Sequence, residues 1–388
     1  MAMHDTGALT VVLVSTPADW GGGEDQARLL AHGLRARGHR CAVLARRGGA
    51  LATALATDGL EVHEFPGRGR NPAAWRRIRG ALRRIRPDVL HANDAHALWA
   101  AGLASLGLGI PARIASRRAA FPLRSAWPYR WLADGVVCVS RAAAEACRQA
   151  GVPQQRLRVV HDGVDPARVR SGDRLRGRAG LGLSDADRLL LAVGKLTDCK
   201  GHTFLLYAMP AVLARHPEAV CAVVGDGELR HSLEAQALRL GIGHRVRFLG
   251  FRRDLPDLIQ AADLFVLPSH TEGLCSTLLE AMFAGRPIVA TTAGGIPEAI
   301  GHGAPADEVC GWSAPPRHAP ALAAAILAAL DAPEQERARR GACATARAER
   351  LFTAERMVED TVLAYRDFLA RVGFRASTHP PMGEGTGL

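Results

Sequence analysis

Short apolar runs alternate along this chain with longer stretches in which apolar residues return every three or four positions. The first kind reads as buried parallel strands and the second as amphipathic helices. Strands are expected near 9–15, 40–45, 88–92, 112–116, 135–139 and 157–161, and again near 189–194, 219–224, 245–249, 263–267 and 287–291. Between the two series, the stretch Asp165 to Asp187 is rich in Arg, Gly and Asp and reads as a linker. Such alternation predicts an α/β fold of two doubly wound, Rossmann-like domains with a cleft between them. The expected boundaries are 1–170 and 171–350. A helix over 351–375 follows, with Met357, Val358, Val362, Tyr365, Phe368 and Leu369 as its apolar face. The stretch 376–388, rich in Gly, Pro and small polar residues, is expected to be a disordered tail.

Composition narrows the class. With 48% hydrophobic and 22% charged residues, the chain can fill two cores and stay soluble. Its net charge of +11 is uneven: residues 1–165 hold 23 Arg and no Lys against 13 acids, the rest 26 basic residues against 25 acids. A one-sided positive field favours an anionic partner, such as a membrane surface or a phosphorylated glycan. No helix-turn-helix, RNA-recognition or zinc-finger signature is present, so nucleic acid is not expected as a partner. Eight cysteines without any C-x-x-C spacing suit buried free thiols in a reducing cytoplasm rather than a zinc site. No signal peptide is read at the start, and the uncharged run between His96 and Arg113 is too short and broken to span a bilayer. The expected location is cytoplasmic, peripheral at the inner face of the cytoplasmic membrane. From Arg68 to Arg86 there are eight arginines and no acid, with Trp75, Ile78, Leu82 and Ile85 at helical spacing. That fits equally a helix lying on an anionic bilayer, apolar side inward, and a core-facing helix with a solvated basic face.

The densest chemistry lies at Pro268-Ser269-His270-Thr271-Glu272-Gly273-Leu274-Cys275-Ser276-Thr277-Leu278-Leu279-Glu280-Ala281-Met282. Two carboxylates flank a glycine turn and a helix start. One can take sugar hydroxyls, the other a ribose, and the amides between them a diphosphate. Thr277 to Glu280 also fits a helix capping box. The second domain opens with Gly194-Lys195-Leu196 after a strand, then Lys200-Gly201; these are the only two lysines in the chain. Lysines at the carboxyl end of a parallel strand can neutralise a diphosphate.

These segments resemble the E-x7-E and G-R-L…K-G motifs of the retaining glycosyltransferases of family four (group 1), which have the GT-B fold. Lys195 stands where that family usually has Arg. The resemblance runs from Leu9 to about Val372. It implies that Glu272 holds donor-sugar hydroxyls, that Glu280 holds the ribose, and that Gly273, Leu274, Thr277 and Leu278 lie around the β-phosphate. It places Gly225 and Gly227, in Val224-Gly225-Asp226-Gly227, beside the nucleotide and Phe251 near the base. In the first domain it brings Gly22 and Gly23 to the cleft. Asp94 and His96 are candidates for acceptor contact and catalysis, with Asn93 at a position where relatives often carry His. Arg117 and Arg118 replace a histidine-bearing loop and suggest a phosphate-bearing partner. Val159 to Asp165 resembles the family's hinge turn.

The implied activity is sugar transfer from a nucleotide-sugar donor to a hydroxyl of a cell-envelope glycan or lipid, without a cofactor or a metal. A sugar-nucleotide epimerase, a phosphorylase and a non-catalytic binding protein of the same fold are the alternatives. A dinucleotide-dependent oxidoreductase is disfavoured, because G-x-G-x-x-G is missing from the first strand–helix turn.

Overall fold

The strands sort by burial into central and edge positions in the computed structural model, which describes residues 7–69 and 71–374. The 376–388 tail and Arg70 lie outside the described residues. The first sheet contains β1 (Thr10–Ser15), β2 (Arg40–Arg46), β3 (Glu61–Phe65), β4 (Val89–Ala92), β5 (Ala112–Arg117), β6 (Gly135–Cys138) and β7 (Leu157–Val159), in the order β3-β2-β1-β4-β5-β6-β7. The second contains β8 (Arg188–Val193), β9 (Ala219–Val224), β10 (Val246–Gly250), β11 (Leu264–Leu267), β12 (Ile288–Thr291) and β13 (Trp312–Ala314), in the order β10-β9-β8-β11-β12-β13. The strand pairs within both sheets are parallel, as between β1 and β4 and between β8 and β11. In each sheet the strand order reverses at one of those two junctions. Ligands of such sheets bind at the carboxyl ends of the strands beside the reversal.

Two edge strands, β3 and β13, fall outside the sequence expectation. Both are short runs with few buried apolar positions, so their apolar signal is weak. In β3, Glu61-Val62-His63-Glu64-Phe65, only Phe65 is fully buried. The expected linker is also more ordered than its composition suggests. It folds into helices Pro166–Arg170 and Arg174–Gly180, capped by Asp165 and Asp173, whose side chains accept from the amides of Ala167 and Arg176. Arg178 is buried there against Asp263 at 3.2 Å.

The basic segment forms helix Pro72–Ile85, with Asn71 as N-cap. Its apolar side, Ala74, Ile78, Ala81, Leu82 and Ile85, is buried in the core shared with β1 and β4. The reading in which this stripe enters a bilayer is therefore incorrect, because the protein's own core already covers it. The arginines at 76, 77, 83, 84 and 86 remain exposed.

Helix Ala354–Arg371 follows the second sheet yet packs in the first domain. Met357, Val358, Val362, Tyr365, Phe368 and Leu369 join the core beside helix Gly22–Ala36. The chain's two crossings between domains lie side by side. The Val164 amide donates to Phe352 O at 2.9 Å and the Ala354 amide to Val164 O at 2.9 Å. At the centre of the packed face, the Tyr365 hydroxyl lies 2.5 Å from His91 Nδ1, and Ser116 Oγ lies 2.8 Å from Nε2. Burial, with the nearby positive charge of Arg118, lowers the His91 pKa to about 3, so the ring is neutral at pH 7. Tyr365→Phe leaves Nδ1 buried and unpartnered and is expected to cost about 1–3 kcal/mol of stability. Urea unfolding at neutral pH measures this; an unchanged midpoint would show that the contact does not hold the helix down.

Candidate functional site

Strand ends and their loops from both domains converge on one cleft. On the second-domain side, the turn after β8 delivers Lys200 and the loop after β11 delivers Glu272. Lys200 Nζ and Glu272 Oε2 are 2.6 Å apart, with Ser269 Oγ 3.4 Å from the same oxygen. Both side chains are largely buried. Burial alone would lower the lysine pKa, but Cys275 and Glu272 reverse this and hold it above its ordinary value. The ammonium is thus a fixed charge at working pH. Lys195, expected to share its role, is exposed and has no ion-pair partner among the described residues. It can reach a ligand only by turning into the cleft.

Two loop contacts require glycine. Gly201 has φ 69°, and a Cβ there would lie 2.1 Å from Pro268 O. A Cβ on Gly273 would lie 2.1 Å from Arg118 O, across the domain boundary. The first fixes the turn that carries Lys200. The second seats the Glu272 loop on the first domain. Gly194, Gly225 and Gly227 pack the neighbouring turns together just behind, with Gly194 close to the Lys200 side chain.

Helix Ser276–Phe283 begins at the bottom of the cleft. Its N-cap is Cys275, which supplies no side-chain cap, and the first amides with intrahelical acceptors are those of Leu278 and Leu279. The earlier amides, at Ser276 and Thr277, are left to face an anion. The capping-box reading fails here. Thr277 Oγ1 points to Val193 O at 3.4 Å, and Glu280 is turned away toward Arg168. Leu274 and Leu278 are buried and support the loop through packing, so any contact they make to a phosphate is through the backbone. Phe251, at the end of β10, is 75% exposed.

Glu280 is buried on the same helix. Arg168 Nη2 donates to its Oε1 at 2.8 Å, while Oε2 has no partner among the described residues. Burial pushes its pKa up to about 7; Arg168 opposes the rise and Asp25 adds to it. An orphaned buried acceptor of this kind suits a ligand hydroxyl.

Across the cleft, the loop after β1 brings Gly22 and Gly23 to the start of helix Gly22–Ala36. A Cβ on Gly22 would be 3.6 Å from Ser276 Oγ, so this loop faces the open helix start directly. Asn93 Nδ2 donates to Gly23 O at 3.0 Å, and Arg118 donates to Asn93 Oδ1 at 3.0 Å. Arg118 also forms a tight ion pair with buried Asp162. Asp162 lies in the turn that the sequence suggested was a hinge. Its partner is 44 residues away, which hid the pairing from local reading. Glu24, one residue past the glycines, is buried with Ser15 Oγ 3.3 Å from its Oε1, and burial raises its pKa.

Two sequence candidates, Asp94 and Arg117, sit differently from expectation. Asp94 caps helix Ala95–Ser105: its Oδ1 accepts from His96 N, Ala97 N and Thr16 Oγ1, and its Oδ2 from Thr16 N. Both oxygens are engaged in holding loops, which argues against a proton-transfer role. His96 is half-buried in the first turn of that helix. Arg117 is buried under its own loop, donating to Phe121 O with its guanidinium 4.6 Å from the Phe121 ring. It therefore does not meet an acceptor phosphate; of the adjacent pair, only Arg118 reaches the cleft.

Comparison with known proteins matches both halves of the chain. Residues 20–168 match the model for Glycosyltransferase Family 4, and residues 173–346 match the model for Glycosyl transferases group 1. A D-inositol 3-phosphate glycosyltransferase of Segniliparus rotundus is 34% identical over 223 residues, 55% of this chain and 47% of that one. Glycogen synthase of Mycobacterium tuberculosis is 30% identical over 283 residues, 67% of this chain and 64% of that one. The chain spans about half the length of the first curated relatives it matches. Among solved structures, Anabaena HepE in complex with UDP-glucose superposes with a TM-score of 0.79 at 25% identity, covering 94% of this chain and 99% of that one. The two sheets, the cleft and these matches give one conclusion: the chain belongs to the group 1 glycosyltransferases of family four, on the GT-B fold.

Proposed function

We propose that this protein transfers a sugar, with retention of anomeric configuration, from a nucleotide-sugar donor to a hydroxyl of a cell-envelope glycan or lipid. The observation that carries this reading is the buried Lys200–Glu272 pair set beside a helix start with open amides. In the proposed reaction, the bond from the sugar anomeric carbon to the diphosphate breaks and a bond to the acceptor oxygen forms on the same face. The acceptor proton passes to the departing phosphate oxygen. The protein supplies position and charge: Lys200 and the amides of Ser276 and Thr277 take up the growing negative charge, and Glu272 holds sugar hydroxyls. Glu280 takes the ribose through its free oxygen. No metal is needed in this scheme.

A UDP-sugar as donor is supported by the UDP-glucose complex of HepE. A phosphorylated acceptor is supported by the inositol phosphate in the name of one relative and by the positive first domain. We place the protein in the cytoplasm, peripheral at the inner face of the membrane. No helix among the described residues is long and apolar enough to cross a bilayer.

Lys200→Ala is expected to lower kcat by about 10²–10³-fold while the protein stays folded. Turnover of a UDP-sugar panel, with circular dichroism alongside, measures this; near-normal turnover would remove Lys200 from the mechanism.

Glu280→Gln separates binding from stability. The folded-state pKa, about 7, lies above the ordinary 4.5, so the folded protein binds more protons across that window. This carboxyl's stabilising contribution is full below pH 4.5 and is lost as pH rises through about 7. Glutamine removes that loss. The variant should be as stable as the parent at low pH and more stable, by roughly 1–3 kcal/mol, above neutrality. It should also bind UDP more weakly. Thermal melts across pH, with and without UDP, read both effects; unchanged UDP affinity would take Glu280 out of the donor site.

Treatment with EDTA should leave turnover unchanged, since no step above passes through a cation. Loss of activity that Mg²⁺ or Mn²⁺ restores would overturn the metal-free scheme.

A further inference from the structure

Four of the six tryptophans are exposed, and all four belong to the first domain. Three of them gather on one face. Trp99 on helix Ala95–Ser105 and Trp127 on helix Trp127–Trp131 stack with centroids 5.2 Å apart and planes at 18°. Trp131 follows one turn later. Their exposures are 39%, 46% and 63%, and Phe121, in the preceding loop, is 52% exposed. Exposed aromatics in such a cluster are unusual on a soluble surface and mark a contact site.

The cluster has a basic border. Helix Pro72–Ile85 packs beside helix Ala95–Ser105, and Arg79 ties them together by donating to Ala104 O at 2.8 Å and Leu106 O at 2.7 Å. Arg76 and Arg83, three and four residues from Arg79 on the same flank, are exposed. Arg124 and Arg130, in the segment that carries Phe121, Trp127 and Trp131, are exposed as well. Between Glu64 and Asp134 the chain has 13 arginines and two acids, Asp88 and Asp94. Both acids are bonded inward, Asp88 to the Thr10 amide and Asp94 to Thr16. With those two acids turned inward, the exposed arginines on the elements that carry the cluster and on the helix beside it, Arg76, Arg83, Arg124 and Arg130, surround an apolar centre.

We propose that this face docks on an anionic bilayer, with Trp127, Trp131 and Phe121 entering the headgroup–acyl boundary and the arginines meeting anionic headgroups. Indole rings favour that boundary, and each arginine near an anionic surface adds attraction. A protein partner would also use Trp and Arg. A bilayer matches better because the exposed charged side chains named beside the tryptophans, Arg76, Arg83, Arg124 and Arg130, are all positive. The apolar part is not the stripe on the basic helix, which is buried, but the tryptophans of the two neighbouring helices. The loop joining Arg118 at the cleft to Trp127 makes this face continuous with the acceptor side. A membrane-rooted acceptor would thus arrive next to the transfer site, a consequence that rests on the transferase reading above; the docking itself does not.

The test is co-sedimentation of the full chain with phosphatidylglycerol or phosphatidylcholine vesicles, at low and moderate salt. The parent should sediment with the anionic vesicles only, and less so as salt rises. Trp127→Ser with Trp131→Ser, and separately Arg76→Gln with Arg83→Gln, should each lower partitioning by about tenfold or more. UDP binding without vesicles should be unchanged in both variants. Full sedimentation of the tryptophan variant would overturn the proposal. So would a parent that stays in the supernatant, or one that is retained by inorganic polyphosphate but not by vesicles. If the parent sediments as described yet neither binds UDP nor turns over any UDP-sugar, the docking face stands and the transferase reading falls.

Discussion

The cleft depends on how closely two backbones approach at the domain boundary. The Glu272 loop rests on the Arg118 carbonyl at a distance that leaves no room for a Cβ on Gly273. That contact decides where Glu272 sits, and Glu272 in turn fixes the Lys200 ammonium. Arg118 holds the other side through Asn93 and Asp162, and Asn93 positions the glycine loop facing the helix start. The proposed donor pocket is therefore built from main chain and locked by a few buried ion pairs. In the reaction proposed above, such preset charges would act on a developing diphosphate without having to reorganise.

Much of this was legible in the sequence because the informative residues are neighbours in it. Central strands announce themselves by continuous apolar runs, and Glu272, the helix start and Glu280 lie within one short segment. What escaped depends on distant pairing or on direction. Strands β3 and β13 bury only one residue fully each and carry little apolar signal. Arg117 and Arg118 look equivalent in sequence, yet successive residues at a strand end point to opposite sides, so one is buried and the other meets Asp162. Asp94 reads as a reactive acid until its four hydrogen bonds are seen. The pairing of Glu280 with Arg168 spans 112 residues and has no local signature.

The first domain's positive charge also divides once the structure is known. Several arginines are matched by acids: Arg28 with Asp58, Arg113 with Asp134, Arg158 with Asp367. These pairs consolidate the fold and contribute little to the outer field. The unmatched ones concentrate on the helical layer that covers one face of the first sheet. A net charge taken from composition is spread over the whole surface, whereas this arrangement gives the domain a direction.

The crossover helix has a consequence for how the protein is made. Tyr365, Phe368 and their neighbours fill a core whose walls include β1, β2 and helix Gly22–Ala36, all synthesised before the second domain. Domains generally fold in the order in which they emerge from the ribosome. Here the first sheet can assemble early, but its outer layer stays open until residues 354–371 arrive, after the whole second domain. The nascent first domain must hold that apolar face uncovered while its partner is translated. The half that begins first is the half that is finished last.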